Sequence, residues 1–319
     1  MKAVLFFFLT IFTSNAIHAQ DYPARQVTVI IPFSAGSASD VIGRITLERM
    51  GVSMGRRFVV DNRPAAGGNV GTLAVTKAAP DGYTILMSAS GPLATNKILY
   101  PNLGYDPEQD LQPISLYAIL PNIVVVSARL PIHSVKELID YVKSNARVPY
   151  GSVGPGSSQH LAGAFFEQIA GVQMTHVPYR VTAQLVADLI AGEVPVSFQL
   201  LPNVVGQLKA GQVRALAVAS TKRLSALPNV PTAAEVGVSG YESAAWFAFL
   251  APRGTPRAII DKLHAEVVAA MNDPTIRARF ADFGAEPMVT TPEETGRFIS
   301  SEVAKWRDII TKARITIEP

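Results

Sequence analysis

The sequence predicts an α/β fold of two lobes that the chain connects twice. Short runs of β-branched residues alternate with helical segments along most of the chain, which favours largely parallel sheets. Residues 112–127 interrupt this alternation, because two strand-like runs at 114–120 and 123–126 are separated only by Pro121-Asn122. We interpret the interruption as the crossing into the second lobe, and a strand-like passage at 244–250 as the return. The predicted lobes are residues 20–121 with 244–319, and residues 122–243.

The individual elements follow from residue type and from turn chemistry. Strands are predicted where β-branched and aromatic residues are bounded by turn residues, at 27–31, 58–60, 84–87, 149–153, 174–177, 194–198 and 214–219. Helices are predicted at 39–54, 70–79, 135–144, 158–170, 183–191, 256–271, 274–283 and 292–313. The last three have a proline near the first turn, where a missing amide costs nothing. Thr255 and Thr291 stand at the positions expected for N-caps.

The N-terminal residues are typical of an export signal. Lys2 precedes an apolar run at 3–12, and Ala19 supplies a small residue before Gln20. The run is about half of the roughly 20 residues that a membrane span needs, and a buried N-terminal helix is the alternative. The chain has no cysteine, so it carries neither disulfides nor the acyl anchor of a lipoprotein. We therefore expect residues 1–19 to be a cleaved signal peptide and the rest to be soluble in the periplasm.

The balance of charge excludes one class of partner. The chain has 28 Lys and Arg against 25 Asp and Glu. Basic residues such as the adjacent pair Arg56-Arg57 form no stripe interleaved with aromatic residues. Nucleic-acid binding requires such a basic surface, so we expect no nucleic-acid partner.

Motifs for catalysis and for cofactors are incomplete in this chain. Residues 237–241 miss the nucleophile elbow because the last position is Tyr241. Gly154-Pro155-Gly156 lacks the third glycine of a dinucleotide loop, and the histidines after residue 19 lack metal-ligand spacing. We therefore expect a binding protein without a cofactor rather than an enzyme, with a periplasmic hydrolase or lyase as an alternative.

Two strand-to-helix loops rich in glycine and serine form the candidate binding site, one in each predicted lobe. Small residues allow backbone N–H groups to approach a ligand closely, and the following helix directs its unsatisfied N–H groups to the same place. Two such loops across a cleft suit an anion, whereas each alone could be an ordinary turn. The candidate residues are Phe33, Ala35, Gly36, Ser37, Ser39 and Asp40 in the first loop, and Gly154, Gly156, Ser157 and Ser158 in the second.

Further candidates lie at two other strand ends. Ser90 and Gly91 follow a first-lobe strand and could line the floor of the cleft. At a strand-to-helix junction of the second lobe, Tyr179 could line the cleft, and Thr182 could cap the helix and offer its hydroxyl. Arg180 could pair with a carboxylate or be a solvated charge of the loop.

Asp40 and His160 each have a purely local interpretation as well. Asp40 lies in the first turn of a helix, where it complements the dipole and can pair with Arg44 four residues on. Its alternative role is to recognise an amino or hydroxyl group of a ligand. His160 lies just inside the second helix, where it could reach the cleft or form a local hydrogen bond.

Several short motifs occur in the pattern of one known family. They are residues 32–40, 61–71, 79–84, 150–152, 160–163, 176–179, 188–192, 246–247 and 251–256. Together they resemble the Bug-type solute receptors, the substrate-binding components of tripartite tricarboxylate transporters, over almost the whole chain after residue 19. The resemblance implies a type II periplasmic binding protein, or Venus flytrap, that hands an organic acid to a membrane permease.

The resemblance also implies how a ligand is held. Such receptors hold a ligand carboxylate with main-chain amides and ordered water at the two glycine loops, flanked here by residues 179–182. Three candidate positions depart from the family pattern: Ser37 replaces a second glycine, Val181 a glycine and Gln199 an acidic residue. Val181 is expected to narrow the cleft, and Gln199 to remove a charge that could meet a ligand ammonium. We therefore expect a monomeric receptor for a mono- or dicarboxylate rather than an amino acid, with a ligand sensor for a signalling partner as the alternative.

Overall fold

A computed structural model describes residues 22–313 and 315–316, so the predicted export signal lies outside the described residues. The strands are β1 (Val27–Ile31), β2 (Phe58–Asn62), β3 (Thr84–Ala89), β4 (Leu111–Ser127), β5 (Pro149–Ser152), β6 (Thr175–Pro178), β7 (Val196–Leu200), β8 (Val213–Val218), β9 (Ala244–Pro252) and β10 (Glu286–Pro287). Within the described ranges they join in the order β2-β1-β3-β9-β4-β7-β5-β6, and β8 and β10 both pair with β4.

The helices match the sequence prediction closely. They are α1 (Ala38–Met54), α2 (Asn69–Thr76), α3 (Asn96–Leu99), α4 (Val135–Ser144), α5 (Ser158–Ala170), α6 (Thr182–Ala191), α7 (Leu201–Lys209), α8 (Arg257–Asn272), α9 (Pro274–Asp282) and α10 (Pro292–Ala313). Every predicted helix is present, with small shifts at its ends. In the part of the chain that is described, no helix is both long and apolar enough to cross a bilayer.

Strand β4 runs through the predicted crossing without a break. The prediction of two separate strands was wrong, because β4 is a single strand of 17 residues. Pro121 has no amide to donate, but the ladder continues past it: Pro121 lies opposite Ala244, and the Asn122 amide donates to the Ser243 carbonyl at 2.8 Å. The first part of β4 pairs with β9 and the second part with β7 and β8. One strand therefore belongs to both lobes.

Each lobe buries its sheet between two layers of helices, as an α/β fold requires. We keep the ranges predicted from the sequence, so that lobe 1 is residues 22–121 with 244–316 and lobe 2 is residues 122–243. In lobe 1, α1 and α8 pack on one face of the sheet and α2 and α10 on the other. In lobe 2, α4 and α5 cover one face, and α6 and α7 the other.

Two α-helices of the described residues were not predicted from the sequence. Helix α7 begins with Leu201-Pro202 and contains Val204, Val205 and Gly206, which are weak helix formers. Helix α3 is a single turn that continues a π-helical turn over Gly91–Thr95. Both are short, and both are held in place by packing between elements.

The two predicted threonine caps differ in outcome. Thr291 is confirmed as a cap, because its hydroxyl accepts the amide of Glu294 at 3.2 Å. Thr255 was wrong, because α8 begins one residue later than predicted with Pro256 as its N-cap. The Thr255 hydroxyl instead donates to the carbonyl of Pro252 at 2.8 Å, which tightens the turn after β9.

Candidate functional site

The loops after β1 and β5 end in equivalent helix caps. Ser37 is the N-cap of α1, where its hydroxyl accepts the amide of Asp40 at 3.4 Å. Ser157 is the N-cap of α5, where its hydroxyl accepts the amide of His160 at 3.3 Å. A serine at this position satisfies one of the amides that a helix start leaves free. Ser37 therefore has a capping role at the position where the resembling family has glycine.

The first turns of α1 and α5 face each other across a small cavity between the lobes, which we call the inner cavity. Its volume is about 20 Å³, which is room for about one water molecule. The lobes are therefore closed on each other in this structure. The inner cavity is lined by Phe33, Ser37, Ala38, Ser39, Ala89, Gly91, Val153, Ser157, Ser158, Gln159, Leu200, Asn203, Ala245 and Phe247, none of which is charged.

At the starts of α1 and α5, beside the inner cavity, three backbone amides have no hydrogen-bond partner among the described residues. They belong to Ser39 in α1 and to Ser158 and Gln159 in α5. The first amides of a helix have no acceptor within the helix, and the positive end of the helix dipole adds to their field. The donors of two such helix starts in one uncharged cavity suit a negatively charged group.

The side chain of Asn203 in lobe 2 accepts a hydrogen bond from a fourth amide beside the inner cavity. Its Oδ1 accepts the amide of Ala38, the first residue of α1, at 2.6 Å. Its Nδ2 donates to Gln199 Oε1 at 2.8 Å, and Gln199 in turn donates to the Ser197 hydroxyl at 2.6 Å. Asn203 was not among the predicted site residues, because helix α7 was not predicted. The signal that could have found it is Pro202, since proline is common in the first turn of a helix.

A larger cavity adjoins the inner one at the mouth of the cleft, and we call it the outer cavity. Its volume is about 420 Å³, and Phe33 and Val153 line both cavities. It is mainly apolar, and Arg180 is the charged residue of its lining. Arg180 is exposed and forms no ion pair within the described residues. The remaining lining residues are Pro32, Ser34, Pro64, Ala65, Ala66, Gly67, Gly68, Val70, Gly154, Pro155, Pro178, Tyr179 and Thr182.

Residues 179–182 lie at the junction between β6 and α6. The Tyr179 hydroxyl donates to Asp188 at 2.7 Å, and burial followed by the Asp188 charge raises the pKa of Tyr179 to about 12. Thr182 is the first residue of α6 rather than its cap, and its hydroxyl lies 3.0 Å from that of Ser34 across the cleft. Val181 is 47 % exposed and lines neither cavity, so the expectation that it narrows the cleft was wrong.

Glycines at the cleft allow the two lobes to touch, rather than giving a ligand access to the backbone. A Cβ atom on Gly67 would lie 2.3 Å from the carbonyl oxygen of Pro155. One on Gly156 would lie 1.9 Å from Oδ1 of Asn96. The Thr95 hydroxyl of lobe 1 also donates a hydrogen bond to the Gly156 carbonyl of lobe 2 at 2.9 Å. The close approach predicted at Gly156 is therefore an approach between lobes.

The remaining loop candidates lie outside both cavities. Ala35 and Gly36 are exposed, and a Cβ atom on Gly36 would meet nothing within 4 Å. Gly36 has a φ of 75°, so glycine is required there for the backbone conformation. Ser90 is buried beside the floor residue Gly91 but does not line either cavity.

Comparisons with known proteins identify the family. Residues 42–315 match the family described as the tripartite tricarboxylate transporter family receptor. The chain belongs to this receptor family. The protein BugT of Bordetella pertussis is 35% identical over 296 residues, which cover 92% of this chain and 91% of BugT.

Solved structures agree with this assignment. The R. palustris protein Rpa4515 with adipate is 38% identical, with a TM-score of 0.90, over 93% of this chain and 99% of that one. MatC from Rhodopseudomonas palustris with bound malate is 30% identical, with a TM-score of 0.84, over 91% of this chain and 100% of that one. The predicted two-lobed receptor fold and the Bug-type resemblance are confirmed. The chain is a solute-binding receptor rather than an enzyme.

In this receptor Asp40 has the structural role. Its Oδ1 accepts from Arg44 Nε at 2.9 Å and from Asn62 Nδ2 at 3.0 Å, and its Oδ2 accepts the amide of Gly36 at 2.9 Å. Burial alone would raise the pKa of Asp40, but these hydrogen bonds outweigh it and hold the pKa below its ordinary value. The predicted pairing with Arg44 is confirmed, and the carboxylate holds the first loop in place from behind.

In the same way His160 supports the second loop of this receptor. Its Nδ1 accepts the amide of Gly156 at 3.2 Å, and its ring stacks on that of His176 with centroids 4.1 Å apart. Burial lowers the pKa of His160 to about 4 and, together with His160, that of His176 to about 3. Both rings are therefore neutral at pH 7 and act as packing and hydrogen-bonding groups. The local interpretation of His160 is confirmed.

From the sequence, Gln199 was expected to lie at the cleft, where the resembling family has an acidic residue. In the structure Gln199 lies away from the cleft. Its side chain is fully buried behind Asn203 and lines neither cavity. Gln199 fixes the orientation of the Asn203 amide through the bond at 2.8 Å. An amide suits this role because it accepts from Asn203 and donates to Ser197 at the same time.

Proposed function

We propose that this receptor acts as a periplasmic monomer that captures a small organic acid and delivers it to the membrane component of a tripartite transporter. The ligand carboxylate binds in the inner cavity, between the starts of α1 and α5. The observation that carries this proposal is the set of three unpaired amides, on Ser39, Ser158 and Gln159. On entry, the carboxylate also takes the amide of Ala38 from the Asn203 side chain.

Backbone amides are sufficient to bind a carboxylate here. Each hydrogen bond to a charged group contributes roughly 1.5–3 kcal/mol, and each helix start adds about 0.3–2 kcal/mol. The inner cavity contains no side-chain charge, so these donors act in a surrounding of low polarity that strengthens them. The site therefore selects for negative charge without an ion-pairing side chain.

The outer cavity receives the body of the ligand. Its apolar walls suit a short carbon chain, and its volume of about 420 Å³ lies within the range of small-molecule sites. Arg180 at its edge is available to a second carboxylate. Among the described residues no acidic side chain lines either cavity, so a ligand ammonium would find no counter-ion there. We therefore infer a dicarboxylate as the preferred class, in keeping with the adipate and malate found in the similar structures.

Binding requires the lobes to open and close, since the inner cavity is too small to admit an organic acid as it stands. We place the hinge at the two crossings that bound the lobes, residues 121–122 and 243–244. There Pro121 pairs with Ala244 at the end of the β4–β9 ladder. A rotation at these residues separates α1 from α5 while each lobe keeps its own core, as in hinge closure generally.

The test is the melting temperature in the presence of a small panel of ligands. Adipate and malate are expected to raise it by roughly 5 °C at about 100 times the dissociation constant, because they bind only the folded protein. Hexanoate is expected to give a smaller rise, and glutamate and the neutral adipamide none. Arg180→Gln should reduce the advantage of adipate over hexanoate. A panel in which no carboxylate raises the melting temperature, or in which adipamide equals adipate, would contradict the proposal.

A further inference from the structure

A second concave surface lies on the outer face of lobe 1, between α1 and the strand β2. Its volume is about 740 Å³, and it is open to solvent. The residues that matter are Arg44, Glu48, Val52, Arg56, Arg57 and Phe58, and we call this surface the β2 groove. None of them lines the inner or the outer cavity. The groove is therefore a separate feature from the ligand site.

The β2 groove has an excess of positive charge. Its acidic residue Glu48 is paired with Arg279 at 2.9 Å, so it does not balance the groove arginines. Arg56 and Arg57 are exposed, and neither forms an ion pair within the described residues. The Arg56 guanidinium donates to the Gly55 carbonyl at 2.9 Å and keeps further N–H donors. Two adjacent guanidinium groups without a carboxylate partner attract carboxylates and are well suited to bidentate contacts with them.

The same surface is apolar and has a free strand edge. Val52 is 76 % exposed, more than any other large hydrophobic side chain of the described residues. Phe58 is half-buried in the groove wall. In the described sheet, β2 is an end strand that pairs only with β1. Exposed apolar groups, a strand edge and arginines together are typical of a surface that binds another protein.

The groove is linked to the ligand loop through one buried carboxylate. Arg44 in the groove bonds to Asp40 at 2.9 Å, and Asp40 holds the amide of Gly36 at 2.9 Å. Asn62 joins Asp40 to the carbonyl of Phe33, each at 3.0 Å. Asp40 is 4 % exposed, whereas the Arg44 side chain is 50 % exposed. Asp40 is linked through Asn62 to Phe33, which lines both cavities. The counter-ion of Asp40 is the exposed Arg44, so a partner protein can reach it.

We propose that the β2 groove docks an acidic segment of the transporter's membrane component, and that docking loosens the ligand loop by drawing Arg44 away from Asp40. The choice of partner rests on the proposed function, whereas the acidic chemistry rests on the groove. A carboxylate of the partner competes with Asp40 for the guanidinium group. Asp40 then remains buried without its counter-ion, which is costly, and the loop from Phe33 to Gly36 shifts. Docking would in this way favour release of the ligand.

Docking can be tested with a synthetic peptide of alternating glutamate and leucine, followed by amide NMR spectra of the full receptor. The glutamate peptide is expected to shift amides of β2 and α1, and its affinity should fall steeply with salt. The variant Arg56→Ala with Arg57→Ala should weaken it at least about tenfold and leave adipate affinity unchanged. The matched control, Arg253→Ala with Arg297→Ala, removes two exposed arginines of lobe 1 outside the groove and should change neither.

The outcomes separate the docking proposal from the proposed function. Equal peptide affinity in the two double variants would overturn the docking site, even if adipate still binds. Binding to phosphatidylglycerol vesicles without binding to the peptide would overturn it in favour of a membrane surface. Peptide binding in the groove together with a failure of every carboxylate to bind would leave the docking site standing and end the proposed function.

The coupling is tested by the rate at which adipate dissociates. Saturating glutamate peptide is expected to raise this rate at least about fivefold in the unmodified receptor. Arg44→Ala should show the raised rate without peptide and should no longer respond to it, and Arg44→Lys should restore part of the response. A rate that the peptide leaves unchanged in the unmodified receptor would show that docking and release are not coupled through Arg44.

Discussion

Asn203→Asp is expected to lower the affinity for adipate by roughly 100- to 1000-fold. The Asn203 side chain bonds to the amide of Ala38 at 2.6 Å, at the start of α1. An aspartate at position 203 would still accept the hydrogen bond of the Ala38 amide. It would also add a negative charge beside the proposed position of the ligand carboxylate. Two carboxylates about 4 Å apart repel each other by about 4 kcal/mol at an effective dielectric constant near 20. Isothermal titration calorimetry measures the loss directly.

Asn203→Ala is the matched control for this variant. It removes the side chain that competes for the Ala38 amide without adding charge, so adipate affinity should stay within about threefold of the unmodified receptor. Chemical denaturation should show both variants folded. If Asn203→Ala lost as much affinity as Asn203→Asp, Asn203 would be a residue that holds the ligand, and the Ala38 amide would not be the ligand's donor.

Gly67→Ala is expected to weaken adipate binding by roughly 5- to 100-fold, because it destabilises the closed form of the receptor. The new Cβ would lie 2.3 Å from the carbonyl oxygen of Pro155, so the lobes cannot meet without a shift. Overpacking of a well-fitted contact costs typically 1–3 kcal/mol, and here the cost falls on the closed form, which holds the ligand. The rate of lobe closure and the calorimetric affinity are the measurements.

Gly171→Ala is the control that distinguishes the steric clash expected at Gly67 from the backbone strain of alanine at a positive φ. Gly171 and Gly67 have the same φ of 62°, so alanine is strained equally at both. At Gly171, however, the Cβ would meet nothing within 4 Å. Both variants should lose some stability, and only Gly67→Ala should lose affinity. Equal affinities in the two variants would mean that the contact between Gly67 and Pro155 is not required for binding.

Much of the site could be predicted because helix starts are local features. Serine at positions 37 and 157, each after a strand and a glycine loop, indicates an N-cap from the neighbouring residues alone. The prediction that two helix starts face each other rested on one such loop per lobe. Of the ten candidates in the two loops, five line the inner cavity: Phe33, Ser37, Ser39, Ser157 and Ser158.

The parts that could not be predicted depend on residues far apart in the chain. The bond from the Ala38 amide to Asn203 spans 165 positions, and the contact of Ser34 with Thr182 spans 148. Such pairs follow from how the lobes close, which no local pattern contains. For the same reason Gly156 was assigned to the ligand instead of to Asn96. Strand β4 was divided at Pro121 because proline predicts a break. In the structure the ladder with β9 reaches Pro121 and the ladder with β7 begins at Asn122, so the strand is continuous.

We propose that backbone amides at two opposed helix starts bind the ligand carboxylate. Amide proton chemical shifts of the receptor, recorded with and without saturating adipate, test it most directly. We expect the amide protons of Ser39, Ser158 and Gln159 to move downfield more than those elsewhere in the chain, because a charge-assisted hydrogen bond forms at each. If these three signals stay in place while adipate is bound, the ligand is held by other groups and the account is wrong.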